Sequence, residues 1–495
     1  MKITGKILLL LTVLSIFILP SCSGKTNANT GNTTAKDNIT DAAETAAEEP
    51  TTEIKDSLPD NIDYGGSDFM IYIRDRELNN KDFYIESETG DQLNDAVYSR
   101  NKKVEERFNV NFKFTLYPYD DWSMTAITKT VKSGDDAFDM AAVHGATMFT
   151  LANNDLLLDW HENMPYVDLT APWWPDGIIS NISSFGKLYG ATGDVSYTYL
   201  DYAACLLFNK DLFKNLNIDY PYADVVNGKW TLDKFISLVK QGKADLNGDG
   251  AITTNADRYG LDIMNAWALP NDIFYCGGDR VVSIGTDGIP ELTMYNDRTV
   301  NIYDKFFDMM GSGAANINEL DVTNNPFMDG RSLFYNGSMG DIIKYRALDF
   351  DIGILPLPKY DENTAKYFIP VNQNTTMIVA PVTLKNTERT SVIVEALAAE
   401  GYRSVIPAYY EVSLKTKQAR DDESAAILDY IRDGITCDYG SLDLTLVGNG
   451  LNNFGAQLVG AQYSEVKNPS FTILYERSKD IVAKNIEKLK VKYGY

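Results

Sequence analysis

The sequence predicts an α/β fold divided into two lobes. From Ser67 onward short β-rich runs alternate with helical segments, and the same alternation returns in the second half of the chain. With the N-terminal segment set aside, about 430 residues remain, more than one core organises comfortably. The chain is 44% hydrophobic and 12% aromatic, which supplies a large core and rules out wholesale disorder.

Residues 1–21 have the three parts of a secretory signal: Lys2 and Lys6, the apolar run Ile7–Leu19, then a small residue before Cys22. The apolar run covers about 20 Å as a helix, short of the roughly 30 Å hydrocarbon core. Leu19-Pro20-Ser21-Cys22 resembles a bacterial lipobox, which makes Cys22 the expected lipidation site and new first residue. Residues 22–62 are rich in Thr, Asn, Ala and Glu and contain no Phe, Trp or Tyr. Such a stretch buries too little apolar surface to offset its ordering entropy, so a disordered tether is expected there.

In the body, Phe69–Arg74, Val110–Tyr117 and Phe138–His144 read as strands. Between the first two, Leu93, Val97, Val104 and Phe108 fall on one helical stripe. Thr231 stands as the cap of a helix burying Leu232, Phe235, Ile236 and Val239. Tyr259–Ile263 is a strand of the second lobe. Further helices are expected at about Asn386–Glu400 and Asp422–Asp433, and the last from about Ser478 to Tyr493 on the stripe Val482, Ile486, Leu489 and Tyr493.

The net charge of −24 argues against a polyanion, so neither a nucleic acid nor anionic lipid against the folded surface is expected as a partner. Two histidines, His144 and His161, nearly exclude a His-rich zinc site. The chain has no G-x-S-x-G elbow, no GxxxxGK[ST] loop and no GxGxxG after a strand. A pair of catalytic carboxylates is not excluded by counting, because sequence supplies no separations. Cys205 reads as a small core residue, and a Cys276–Cys437 bridge is not expected.

One loop has metal-ligand spacing. Asp245, Asn247 and Asp249 stand at positions 1, 3 and 5 of a calcium-type loop, with Gly250 at 6 and the Ala251 carbonyl at 7. Position 12 is Ala256, and Asp257 is the candidate for the closing carboxylate. A structural calcium ion is expected there; the alternative is an Asx-rich turn that binds nothing.

Aromatic residues beside polar ones form the other signal: Trp173-Trp174-Pro175, Asp194-Val195-Ser196-Tyr197 and Asn265-Ala266-Trp267. A ring covers the apolar C–H face of a sugar while a neighbouring polar group meets its hydroxyls.

Four segments together resemble the extracellular solute-binding proteins of ABC importers, in the group with sugar-binding members. They are Lys187–Gly190 with Leu206–Phe213, Gly228–Thr231 with Asp245–Gly250 and Asp257–Gly260, Phe327–Phe334, and Asp349–Pro358. The resemblance implies a periplasmic-binding-protein-like type II fold with crossovers near 195–205, 335–340 and 385–405. Its lobes would be 63–200 with 337–405, and 201–336 with 406–495. It implies a non-enzymatic, lipid-anchored, extracytoplasmic receptor, monomeric, that captures a neutral solute, most simply an oligosaccharide, and passes it to permease subunits. Strand ends and crossovers then make His144, Trp173, Asp194, Tyr197, Asn265, Trp267, Asn336 and Ser338 the candidate ligand contacts. Alternatives are a surface glycoside hydrolase or polysaccharide lyase, and a peptide-binding receptor of similar shape.

Overall fold

Alternation in Ser67–Asp75 puts Phe69, Ile71 and Ile73 on one fully buried face, and this segment is the first strand, β1. The computed structural model describes residues 54–122, 124–318, 325–345, 347–414, 422–463 and 470–495. The expected signal segment, Cys22 and the expected tether as far as residue 53 lie outside the described residues. Residues 55–62, expected in the tether, belong to the folded body. Leu58 is buried, and the Asp56 carboxylate pairs with Arg107 at 2.9 Å and Arg403 at 3.2 Å.

The first sheet has the order β12-β3-β1-β2. It contains β1, β2 (Val110–Pro118), β3 (Met140–His144) and β12 (Thr376–Val379). β1 is parallel to β2 and β3, whereas β12 runs antiparallel to β3 with Thr376 opposite His144. The helix Gln92–Phe108 covers this sheet with Val97, Val104 and Phe108 buried; Asp91 caps its start and Asn109, at φ 50°, ends it in the left-handed region.

The second sheet has the order β10-β4-β9-β5-β8. Its strands are β4 (Ala204–Asn209), β5 (Tyr259–Ile263), β8 (Ala315–Ile317), β9 (Ser332–Ser338) and β10 (Ile352–Leu355). Every residue of β4 is buried, as expected of a strand covered on both faces, and Cys205 lies within it. β5 is parallel to β8 and β9, and β4 is antiparallel to both β9 and β10. Two small ribbons complete the strands: β6 (Val282–Ile284) with β7 (Pro290–Leu292), and β11 (Ile369–Pro370) with β13 (Ile435–Thr436). The expected cap is in place, with Thr231 Oγ1 accepting from the Lys234 amide ahead of the helix Leu232–Gly242. The final helix begins earlier than its stripe suggested, at Phe471, and ends at Tyr493. The three thiols Cys205, Cys276 and Cys437 are free and buried. No helix among the described residues is long and apolar enough to cross a membrane.

The passages between sheets correct the expected boundaries. The first runs through Val195–Ala203 into β4, as expected. The second does not occur at 335–340, because β10 pairs with β4 and keeps the chain in the second sheet until Leu355. It returns through Val371, which bridges Ala203, and Asn372, whose amide donates to the Tyr202 carbonyl at 3.2 Å. The third leaves the helix Thr387–Glu400 through a π-helical turn, Gly401–Val405. The segment after β13 also touches the first lobe. Tyr439 packs on Phe149 at 4.5 Å, and Asn153 donates to Asp443 at 3.3 Å.

At Gly401 two passages meet backbone to backbone. A Cβ there would lie 1.8 Å from the Asp194 carbonyl oxygen. Gly401→Ala is therefore expected to lower unfolding free energy by about 1–3 kcal/mol through overpacking. Gly311→Ala, where nothing lies within 4 Å, is expected to leave it unchanged or raise it. Urea denaturation midpoints of the two variants check this.

Candidate functional site

Parallel strands deliver their C-terminal ends to one side of a sheet, where loops gather. In the first sheet that edge carries Arg74 of β1 and Arg76 just beyond it, Trp122 after β2 and His144 at the end of β3. Asn374 joins them just ahead of the antiparallel β12. Arg76 Nη1 donates to Asn374 Oδ1 at 2.7 Å, and His144 Nε2 lies 3.2 Å from the same oxygen. His144 Nδ1 accepts from the Ala146 amide, so the ring proton sits on Nε2 and is directed at Asn374. Burial, together with the charges of Arg74 and Arg76, holds the His144 pKa down to about 3. It is neutral. The Trp122 ring meets His144 edge-on at 4.8 Å, carries the Arg74 guanidinium on its face at 4.8 Å, and remains 53% exposed.

At the corresponding edge of the second sheet, Asn265 Oδ1 accepts from the Trp267 amide at 2.8 Å in the turn after β5. This turn leaves Trp267 54% exposed. Asn336 is buried, and its Oδ1 accepts from the Met264 amide at 3.1 Å, tying β9 to the exit of β5. Ser338 donates through its amide and hydroxyl to Asp341 Oδ2 at 2.9 and 3.2 Å, starting a short helix. A cavity of about 50 Å³ lies between Trp267, Asn271 and Asp272 of the second lobe and Asn372 and Gln373 of the second passage. Burial pushes the Asp272 carboxyl up to about 8. A wider groove of about 600 Å³ lies between β7 and the final helix, away from the strand ends.

Of the residues singled out in the sequence, His144, Asn265, Trp267 and Ser338 stand at these edges. Trp173, Asp194 and Tyr197 belong to the frame instead. Trp173 and Trp174 each donate through Nε1 at 3.0 Å, one to each oxygen of buried Glu395. Tyr197 is buried against Tyr409 at 5.7 Å. Asp194 Oδ1 accepts from the Tyr199 hydroxyl at 2.6 Å and its Oδ2 has no partner. Arg74, Arg76, Trp122 and Asn374 were not singled out. The available signal was position: Arg74-Asp75-Arg76 follows the apolar alternation of β1 directly, at a parallel strand's C-terminal end.

The calcium-type loop is closed by its own amides. Asp245 accepts from Gly248 and Gly250, Asp249 from Ala251, and Asp257 from Leu246 and Thr253. Asn247 Oδ1 accepts from the Asp249 amide. Among the described residues, no group of three or more His, Cys, Asp or Glu side chains gathers to hold a metal.

The frame carries a pH signature. Burial raises the carboxyls of Asp82, Asp194 and Glu395 to about 7. The native state then keeps a proton that the unfolded chain releases near pH 4, so these groups lose stability as pH rises through that window. Asp194→Asn does not titrate. Its Tm relative to the parent is expected to rise from about pH 4.5 to about pH 7.5, read by calorimetry at both ends. A difference independent of pH would mean that native Asp194 is already ionised.

No family model matches the chain, and no curated protein matches it. Solved structures do. The sugar-binding protein MalE from Xanthomonas citri aligns at 13% identity and TM-score 0.59, covering 86% of this chain and 99% of its own. UgpB from Mycobacterium tuberculosis, in complex with glycerophosphocholine, aligns at 16% and 0.55, covering 85% and 99%. An ABC substrate-binding protein from Listeria monocytogenes, in complex with cycloalternan, aligns at 13% and 0.51, covering 87% and 100%. The chain has the two-lobed α/β fold that these binding proteins share.

Proposed function

We propose that the protein is the non-enzymatic solute-binding component of an ABC importer and that its solute is a carbohydrate. The observation that carries this reading is the pair of half-exposed tryptophans, Trp122 and Trp267, at the strand ends of the two sheets on either side of the passages. Each ring offers an apolar face to a sugar, with amide side chains beside it for hydroxyls. Lobes joined by three passages close as a hinge, and a solute touching both lobes stabilises the closed form by its differential affinity. A permease reads that form. Lipidation at Cys22 would hold the receptor on the outer face of the cell membrane while the tether lets the body work away from it.

A thermal-shift panel of oligosaccharides and peptides on the purified protein tests the reading. A saturating sugar at a hundredfold its Kd stabilises by about 2.7 kcal/mol, so a rise in Tm without release of reducing ends is expected. A response to peptides alone, or turnover of the sugar, overturns it. With a sugar in hand, Trp122→Ala and Trp267→Ala are each expected to weaken binding about tenfold, while the ligand-free Tm stays put.

Calcium in the Asp245–Asp257 loop is a separate proposal. Gly248 and Gly250 at φ 76° and 84° give the required turn, and both Asp245 oxygens and Asp249 Oδ1 accept one amide each, which leaves each a lone pair for an ion. Melting in calcium against melting in chelator decides it: a higher Tm in calcium is expected, and superimposed curves remove the ion.

A further inference from the structure

The first-lobe edge holds two arginines that have no carboxylate partner among the described residues. Arg74 is 3% exposed; its Nε donates to the Tyr119 carbonyl at 2.9 Å, and its Nη1 has no partner. Arg76 makes one hydrogen bond, to Asn374, and lies 5.6 Å over the Tyr202 ring. The Tyr202 hydroxyl and Thr375 Oγ1 are also buried without partners. Positions two apart share a face in extended chain, and both arginines meet around His144, Arg74 through the Trp122 ring and Arg76 through Asn374.

Several other arginines of this chain have carboxylate partners, although Arg280 and Arg389 also keep a buried Nε without an acceptor. Arg107 pairs with Asp56, Arg298 with Asp279 and Arg389 with Asp139. Fully buried Arg100 makes no ion pair, yet its nitrogens donate to the Val195 and Asp82 carbonyls and to Asn101. With 69 acidic residues against 45 basic ones, a shortage of carboxylates does not explain why two arginines side by side at a strand end have none. Of the carboxyls near the pair, Asp75 accepts from Asn80, and Asp201 accepts from the Tyr409 hydroxyl with its pKa raised to about 6 by burial. A buried guanidinium with an unmade hydrogen bond is destabilising unless an outside acceptor completes it, and a planar fork fits an oxyanion best.

Building on the solute-binding reading, we infer that the solute is an acidic saccharide whose anionic oxygen group is received by Arg74 and Arg76 at the end of β1. Carboxylate, sulfate and phosphate share that chemistry. The exposed part of Trp122 then stacks on the sugar ring bearing the group, and His144, neutral, adds no acid of its own. The overall negative charge does not oppose this, because screening over about 8 Å leaves the local pair dominant inside the cleft.

Calorimetric titration of the purified protein with trigalacturonate, a hexose sulfate and a hexose phosphate separates the three sources of the anion. Each is compared with a neutral sugar of the same size. One acidic class is expected to bind at least tenfold tighter than its neutral counterpart and to weaken as salt is raised. Arg76→Gln, at a half-buried position that spares the core, is expected to lose at least tenfold for the acidic sugar and Arg76→Lys less. The ligand-free Tm should hold in both. Arg74→Gln gives the same loss where it folds. Neutral sugars binding as tightly as acidic ones, or an Arg76→Gln affinity equal to the parent's, overturns the inference and leaves the solute-binding reading intact. No binding by any sugar overturns both.

Discussion

Arg100 is the tie on which the arrangement of the lobes depends. It projects from the helix Gln92–Phe108 with its guanidinium wholly buried and donates to the Asp82 carbonyl at 2.6 Å and the Val195 carbonyl at 2.9 Å. The Asp82 carboxylate in turn accepts from the Ser196 hydroxyl and the Tyr197 amide. One helix of the first lobe thus fixes the start of the first passage to the second. Loss of the guanidinium would strand buried carbonyls with no water to replace it, which is why such a group is costly to remove. The third passage is laid against the first at Gly401, and the second is stitched to it by the bond from the Thr376 amide to Thr198 Oγ1 at 3.0 Å. Three short connections are held side by side.

That frame uses the residue types that also make ligand sites. Trp173 and Trp174 hold Glu395, and Tyr199 and Tyr409 donate to Asp194 and Asp201. Connections buried between two lobes expose backbone and side-chain polar groups to a low-dielectric interior, and each needs a partner. Aromatic residues with a polar tip supply bulk and a hydrogen bond together. The carboxyls so enclosed hold protons near neutral pH, whereas the strand-end edge of the first lobe carries guanidinium charge.

Strand and helix periodicity made most of the first lobe and much of the second legible. β1, β2, β5, the helix capped by Thr231 and the helix after Asn386 lie within a residue or two of where the pattern placed them. Local pattern reports burial of one element against a core, and those elements have one. It did not place the second passage. Ile352–Leu355 is an apolar run that suits either sheet, and only its pairing with Leu206–Asn209 decides between them. The same limit governed the site. Trp173 and Trp267 both lie in loop-like runs of the sequence, yet one is buried on Glu395 and the other stands half exposed.

Residue order alone determined the α/β class, the identity of most elements and their caps, because these depend on contacts a few positions apart. It also set the inventory of chemistry: few histidines, few cysteines, many aromatics and an excess of acid. Tertiary structure alone decided which strands share a sheet, where the chain passes between lobes and which polar groups are satisfied. Arg74, Arg76, Trp122, His144 and Asn374 meet from segments some three hundred positions apart. Side chains that far apart come together only when the sheets are assembled, and their pairing is set by that assembly rather than by their neighbours in the chain.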